Sequence, residues 1–302
     1  MKIPIFTDDA GWHGARLKEA FAVRGVDAVF LSLQECVINL SGTSPTIQIP
    51  GFNLLPLLVF VRGVAGGTMQ QVITRLNVLH MLSMLNVKIY NDVKAIERTV
   101  DKAMTSFLLK KNGISTPPTW VSESRSQVEN IRQIAAQNNQ TLVLKPLFGS
   151  QGLGVRKLLA KEPLPVPMQQ FVDGVYYLQE LIETPKIDGN VAPHDYRVFV
   201  IGGSVVAAMK RVGNTWVNNV AAGGRCEKVA ENEQLSALAL QAASVLEIDY
   251  CGVDIIQSAS GQYYVLEVNS IPAWKGLQSV AEIDIAQLLV DDCLSKIGVI
   301  TN

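Results

Sequence analysis

Residues 263–274 read YYVLEVNSIPAW, an apolar run that carries a carboxylate, Glu267, and an amide, Asn269, two positions apart ahead of Pro272. Side chains alternate faces along a strand, so Val265, Glu267 and Asn269 are expected on one face and Leu266 and Val268 on the other. The preceding apolar stretch, CGVDIIQ, holds Asp254, and the polar turn SASGQ joins the two. A hairpin without a bulge, centred between Ser260 and Gly261, sets Asp254 directly across from Glu267, with Cβ atoms roughly 5 Å apart. Two carboxylates that close repel unless a positive charge lies between them. Asp, Glu and Asn offer only oxygen donors, the hard ligands that suit Mg²⁺. Taken alone, the same residues fit equally well an edge hairpin whose polar face meets water.

A second stretch, LVLKPLFGSQGLGVRKLL at 142–159, ends an apolar strand in Lys145 and continues through Gly149, Ser150, Gln151, Gly152 and Gly154 into another strand. Glycines let a backbone approach a ligand closely and present its N–H groups. No GK[ST] follows and no helix begins there, so this is not a P-loop. It reads as a hairpin lid over phosphates or as an ordinary glycine-rich turn. Lys102, in TVDKAM, reads as a solvated helical lysine. Gln179 and Glu180 interrupt the apolar strand YYLQELI, which ends at Ile182. Asp195 and Arg197 share a face of HDYRVFV, and Arg211 ends VVAAMKR. Each of these, alone, reads as a surface charge.

The elements that must hold these residues follow from the pattern. KIPIF, VDAVFLSL, LLVFVRG and VKIYND are strands. GARLKEAFAVRG and TMQQVITRLNVLHMLSML are helices between them, a parallel α/β arrangement. The first strand lacks a GxGxxG turn, which argues against dinucleotide binding. A second unit opens with one long helix, KAIERTVDKAMTSFLLKKNG. It passes through the prolines of STPPTWVS, adds the helix SQVENIRQIAAQNN, and then becomes mostly strands. One amphipathic helix, ENEQLSALALQAASVLEI, precedes the last hairpin, and IDIAQLLVDDCLSK is a final helix.

Composition restricts the functions open to this chain. Of its 302 residues, 48% are hydrophobic and 18% charged, ordinary globular material for about two domains. The 26 basic and 27 acidic residues leave a net charge of −1, and no basic run favours nucleic acid as a partner. Cys36, Cys226, Cys251 and Cys293 show no CxxC spacing and read as buried thiols of a reducing compartment. The most apolar stretch, FNLLPLLVFV, is too short for a bilayer, which needs about twenty residues. The expectation is a soluble, cytoplasmic protein without a membrane partner.

The order DKA, VLKP, GSQGLGV, QELI, HDYRVFV, KR, NNVAAGGR, GVDI, LEVN resembles the ATP-grasp superfamily, and within it the RimK-type carboxylate–amine ligases that act as α-L-glutamate ligases. The resemblance runs from about residue 95 to 290. It implies an ATP-grasp fold, α/β and α+β, preceded by a Rossmann-like N-terminal α/β domain over 1–94. The ATP-grasp domain would span 95–302, with a lid subdomain at about 116–177. It implies ATP and Mg²⁺, with Mn²⁺ as an alternative, as cofactors. Lys102 and Lys145 match the phosphate-contacting lysines and Gly149–Gly154 the lid loop. Gln179, Glu180 and Ile182 match the adenine strand, and Asp195 matches a ribose-binding acid. Arg197 and Arg211 match arginines near the phosphates and the reacting carboxylate. Asp254, Glu267 and Asn269 match the metal ligands, and Arg62 matches an arginine bordering the substrate cleft.

The implied chemistry phosphorylates a carboxylate to an acyl phosphate, which an amine then attacks. It needs no nucleophilic side chain, in keeping with only three histidines. His13 and His80 read as structural, and His194 as a lesser site candidate. The substrate-facing parts depart from the family pattern. The loop ETPKIDGNVAP is long, and NNVAAGGR keeps Asn218 but places alanines where relatives carry a basic residue, which Arg225 could replace. SIPAWKG puts Trp274 near the acceptor, where an indole could stack on a flat ring, or it could lie in the core. The favoured substrates are glutamate and a tetrahydromethanopterin-type pterin, with a protein C-terminus or carrier protein as alternative acceptors. Competing readings are a nucleotide-binding regulator without turnover and a small-molecule kinase. The resemblance also implies a homo-oligomer, a dimer or a tetramer.

Overall fold

The computed structural model describes residues 1–149, 154–159, 162–165, 174–185, 193–213, 216 and 224–299. β1 (Lys2–Phe6), β2 (Asp27–Leu31), β5 (Leu58–Val61) and β6 (Lys88–Tyr90) form a parallel sheet in the order β2-β1-β5-β6. Helices α1 (Gly11–Val23) and α2 (Met69–Met84) connect its strands. Every side chain of β5 is buried, which is why its sequence is a continuous apolar run. A small hairpin of β3 (Val37–Asn39) and β4 (Thr46–Gln48), not anticipated from the pattern, is inserted before β5.

The single helix expected over 94–113 is two helices, α3 (Val93–Val100) and α4 (Lys102–Lys111). Asp101 breaks it. Its carboxylate accepts from the N–H groups of Ala103 and Met104, satisfying orphan donors of the second helix and complementing its dipole. The break places Lys102 in the first turn of α4.

The region expected to be a lid contains an antiparallel sheet of β7 (Thr119–Ser122), β8 (Leu142–Lys145), β9 (Arg156–Leu158) and β10 (Tyr176–Glu180), in the order β7-β10-β8-β9. Helix α5 (Arg125–Gln137) covers it, burying Val128 and Ala135 against Leu142, Leu144 and Leu178.

A five-stranded antiparallel sheet forms the centre. It comprises β11 (His194–Ile201), β12 (Ser204–Val212), β13 (Arg225–Lys228), β14 (Tyr250–Gln257) and β15 (Tyr263–Asn269), in the order β13-β12-β11-β14-β15. Helix α6 (Glu233–Val245) packs Leu235, Ala239 and Ala242 on one face, against Val198, Val253, Ile255 and Val268. The other face is divided. One end carries Phe199, Ile201, Met209 and Tyr250, which join Ile3, Phe21 and Phe60 of the N-terminal layer in one core. Short helix α7 (Lys275–Gln278) and helix α8 (Ile285–Ser295) complete that core through Leu277, Leu289 and Val290. The apolar interior is therefore continuous across the boundary placed at residue 94. Asn91 reinforces the junction: its amide donates to the carbonyls of Tyr250 and Ser270 and accepts from the Tyr250 N–H. The other end of the divided face is charged.

The last hairpin differs from its expected form in an instructive way. Asp254 does lie opposite Glu267, but the strands are offset by a bulge, because Ile255 pairs with Val265. Leu266 is the extra residue. It turns Val265 onto the same buried face as Val268, so Val265 does not share the face of Glu267 and Asn269 as strict alternation predicted. Among the described residues no helix is long and apolar enough to cross a membrane.

Candidate active site

The charged end of the central sheet carries a ladder of alternating sign. Asp195 on β11 is directly across from Arg211 on β12, and Arg197 is directly across from Asp254 on β14. Arg211 donates to Asp195 through Nε at 2.8 Å and Nη2 at 2.6 Å, and its Nη2 lies 3.0 Å from Asp254 Oδ2. Arg197 forks onto Asp254, with Nε and Nη2 each 2.7 Å from a carboxylate oxygen. Burial acts to raise the Asp254 pKa, but the two guanidinium groups overcome it and hold the carboxyl below its usual range. Burial likewise opposes the charge on Arg211, and Asp254 and Asp195 more than offset it. Asp195, matched by resemblance to a ribose contact, has both oxygens engaged by Arg211 here.

Across a cleft from the ladder stand the two lysines. Lys102 donates to the carbonyls of Leu147 at 3.3 Å and Gly149 at 2.7 Å, so it grips the entrance of the glycine loop and does not lie on a solvated face. Lys145, at the end of β8, donates to Gln179 Oε1 at 2.5 Å. Burial lowers the pKa of both lysines, and Glu267 is the main opposing charge in each case. A cavity of about 230 Å³ lies beside Lys102, bordered also by Ser106, Gly149, Tyr177, Glu267 and Asn269. Gly149 and Gly154 both have positive φ, at 134° and 75°, and a Cβ on Gly154 would approach Pro146 Cγ to 2.9 Å. Glycine is thus required at that turn. Ser150, Gln151, Gly152 and Asn218 lie outside the described residues.

On β10, Glu180 accepts from Gln140 Nε2 at 2.8 Å, and the Gln179 side chain points inward, 2% exposed. Ile182 follows, half-buried. At the metal-candidate strand, Asn269 Nδ2 donates to Glu267 Oε1 at 2.9 Å. Among the described residues no cluster of three or more His, Cys, Asp or Glu gathers at one point. Two carboxylates and one amide fit a cation that keeps several waters and shares phosphate oxygens, as Mg²⁺ does.

Trp274 corrects an expectation. Its indole is 0% exposed, packed edge-on against Trp12, His13 and Phe199, with the Arg62 guanidinium 5.2 Å from its centre. It cannot stack on a substrate ring. The Pro272–Ala273 turn folds it back beneath the sheet, a tertiary effect that local sequence does not carry. Sequence reasoning gave His13 only a structural part, and the part is specific: Nε2 accepts from the N–H groups of Trp274 and Lys275. Arg62 donates to the Ile271 carbonyl at 3.4 Å, so it reaches the segment that follows the metal-candidate strand. Arg225 is exposed and pairs with Glu227 on its own strand. His80 pairs with Glu97, and His194 is buried. Cys251 and Cys293 are buried as expected, whereas Cys36 and Cys226 are only half-buried.

A cleft between two antiparallel sheets, with a glycine loop and two lysines on one side and acidic and amide side chains on the other, defines the ATP-grasp class of enzyme. Residues 99–293 match the RimK-like ATP-grasp domain. The tetrahydromethanopterin:alpha-L-glutamate ligase of Methanococcus maripaludis is 32% identical over 98% of both chains. A protein of Thioalkalivibrio sulfidiphilus named "Probable alpha-L-glutamate ligase" is 31% identical over 96% of this chain and 94% of its own. The fold is similar to that of the ATP-grasp ligase PsnB complexed with a minimal precursor, with a TM-score of 0.71 at 22% identity over 98% of both chains. The chain belongs to the RimK-like ATP-grasp family, and it is an ATP-dependent ligase that forms a C–N bond and releases ADP.

Proposed function

We propose that the enzyme joins the amine of L-glutamate to a carboxylate of a tetrahydromethanopterin-type pterin, through an acyl phosphate. The observation that carries the chemistry is the convergence of Arg197, Arg211, Lys102 and Lys145 on Asp254 and Glu267 around one cleft. The acceptor rests on the methanogen relative, which is similar over 98% of both chains. Trp274 gives it no support, because the indole is core.

The residues divide the work. Lys102 and Lys145 hold the β- and γ-phosphates, and burial removes the competing water that would weaken those contacts. Asp254, Glu267 and Asn269 would hold Mg²⁺, which neutralises phosphate charge when bound. The acceptor's carboxylate oxygen forms a bond to the γ-phosphorus as the bond to the bridging oxygen breaks, and ADP leaves. Arg197 is held in place by its fork onto Asp254, and its Nη1 is the donor left for a carboxylate or for the oxyanion that develops next. The glutamate amine, as free base, then attacks the acyl carbon. Phosphate departs with the electron pair, and the proton on nitrogen passes to phosphate or water. Positioning and charge neutralisation supply the catalysis, with no covalent enzyme intermediate.

The test incubates enzyme, Mg-ATP and L-glutamate with the pterin, with a glutamate-ended peptide, and with each omitted in turn. Mass spectrometry of the product and measurement of ADP are the readouts. A pterin heavier by one glutamyl residue is the expected result. ADP formed without amine and with a stable phosphorylated acid would convert the reading to a kinase, and glutamylation of the peptide alone would replace the acceptor.

A further inference from the structure

Gln179 is matched to the adenine strand by position, yet its side chain faces the other way, into a hydrogen-bonded chain. Its Oε1 accepts from Lys145 Nζ at 2.5 Å, and its Nε2 lies 3.2 Å from Thr119 Oγ1 and 3.3 Å from Tyr177 OH. Thr119 Oγ1 lies 2.8 Å from the Pro117 carbonyl, and Tyr177 OH lies 2.8 Å from Ser106 Oγ. Four elements meet in this chain: β7, β8, β10 and α4.

The direction of the bonds that fix the amide can be worked out. Pro117 O can only accept, so the single hydrogen of Thr119 is used there. Towards Gln179, Thr119 can therefore only accept, and the amide must present nitrogen to it. The opposite end agrees, because an ammonium cannot accept and must meet the amide oxygen. Tyr177 OH accepts from the same nitrogen, and in its contact with Ser106 either hydroxyl can be the donor.

We infer that Gln179 is a positioning residue for Lys145, with Thr119 locking the amide so that a neutral oxygen, and no carboxylate, aims the ammonium at the nucleotide. Neutrality matters. A carboxylate at this place would satisfy the ammonium's charge and withdraw it from the phosphates, whereas an amide fixes its place and leaves the full charge available. The buried ammonium also needs such an acceptor, since a charge without hydrogen bonds is strongly disfavoured away from water. The inference rests on the reading that Lys145 meets the phosphates, and the experiment separates the two.

The affinity of the folded enzyme for a non-hydrolysable ATP analogue with Mg²⁺ is measured by calorimetry for Lys145→Met, Gln179→Met, Gln179→Glu, Thr119→Val, Thr119→Ser and the Lys145→Met/Gln179→Met double variant. Thermal melts confirm that each is folded. Gln179→Met and Gln179→Glu are expected to weaken binding about tenfold or more, the scale of a hydrogen bond to a charged group. Thr119→Val is expected to weaken it in the same direction, and Thr119→Ser to restore it. The double variant is expected to bind no more weakly than Lys145→Met alone, because the amide has nothing left to aim. Wild-type affinity in Lys145→Met would overturn the phosphate role of Lys145 itself. Weak binding in Lys145→Met with wild-type affinity in Gln179→Met, or additive losses in the double variant, would overturn the positioning role.

Discussion

Arg197 on β11 is directly opposite Asp254 on β14, and each of its two outer nitrogens, Nε and Nη2, reaches one carboxylate oxygen at 2.7 Å. A planar fork is needed for that geometry, and lysine cannot reproduce it. Arg197→Lys is expected to keep the fold and lower the ADP release rate by about a hundredfold to a thousandfold, the range of a lost charge-stabilising donor. A steady-state assay with saturating ATP checks this; an unchanged rate would remove Arg197 from the reaction.

Asp254 has the opposite exposure to mutation. It is 5% exposed and answers two guanidinium groups at once. Asp254→Ala leaves both short of a counter-charge, and about 3 kcal/mol of stability is expected to be lost. Urea unfolding measures it. Asp254→Asn keeps shape and hydrogen-bond acceptance on one oxygen, so it should lose less stability while still losing turnover.

Metal removal should separate activity from folding. The interior is built from apolar side chains, and two of the metal candidates, Glu267 and Asn269, line a cleft at its edge. Chelation with EDTA is expected to stop ADP release and leave the melting temperature of the nucleotide-free protein unchanged, with Mg²⁺ restoring the rate. A large drop in melting temperature would make the ion structural.

His13 links stability to acid. Burial, then Arg62 and Lys275, depress its pKa from 6.5 to about 4. The unfolded chain therefore binds a proton that the folded chain refuses between those values. The stability supplied by neutral His13 is complete above about 6.5 and is lost as pH falls towards 4. Protonation also removes the acceptor for the N–H groups of Trp274 and Lys275. The wild type is expected to lose more stability across that window than His13→Gln, as followed by urea midpoints at several pH values.

Trp274 predicts a stability effect and not an affinity effect. Trp274→Ala should cost about 3–5 kcal/mol, the range for a large aromatic deleted from a core. Trp274→Phe should cost much less, because it also removes an indole N–H that is buried without a partner. In Trp274→Phe the acceptor KM should equal that of the wild type, a result incompatible with stacking on the substrate.

Much of this was legible in the sequence, for reasons that are local. The alternation of apolar strands and amphipathic helices in the first layer depends on nearest neighbours, and the elements fall where the periodicity put them. Asp254 does face Glu267, but not by the expected route: the turn register pairs Gln257 with Tyr263 and would set Asp254 opposite Leu266, and the bulge restores the pairing with Glu267. The bulge at Leu266 was not legible, since it is selected by packing: it allows Val265 and Val268 both to face α6. The break at Asp101 had a readable signal, an aspartate at a capping position, but the unbroken apolar spacing around it suggested one helix. For Trp274 the sequence left substrate stacking and the core both open, because the contacts that decide it, with Trp12 and His13 of α1, come from far along the chain.

Helix α8 lies against α1, with Arg24 forked onto Asp291 and Arg16 reaching Asp284. Leu17 and Phe21 of α1 thus share one core with Leu289 and Val290 of α8, far along the chain. On the ribosome that side of the core cannot close until α8 has been translated. Truncation ahead of Ile285 would leave this face of α1 uncovered, so the topology ties early residues to late ones.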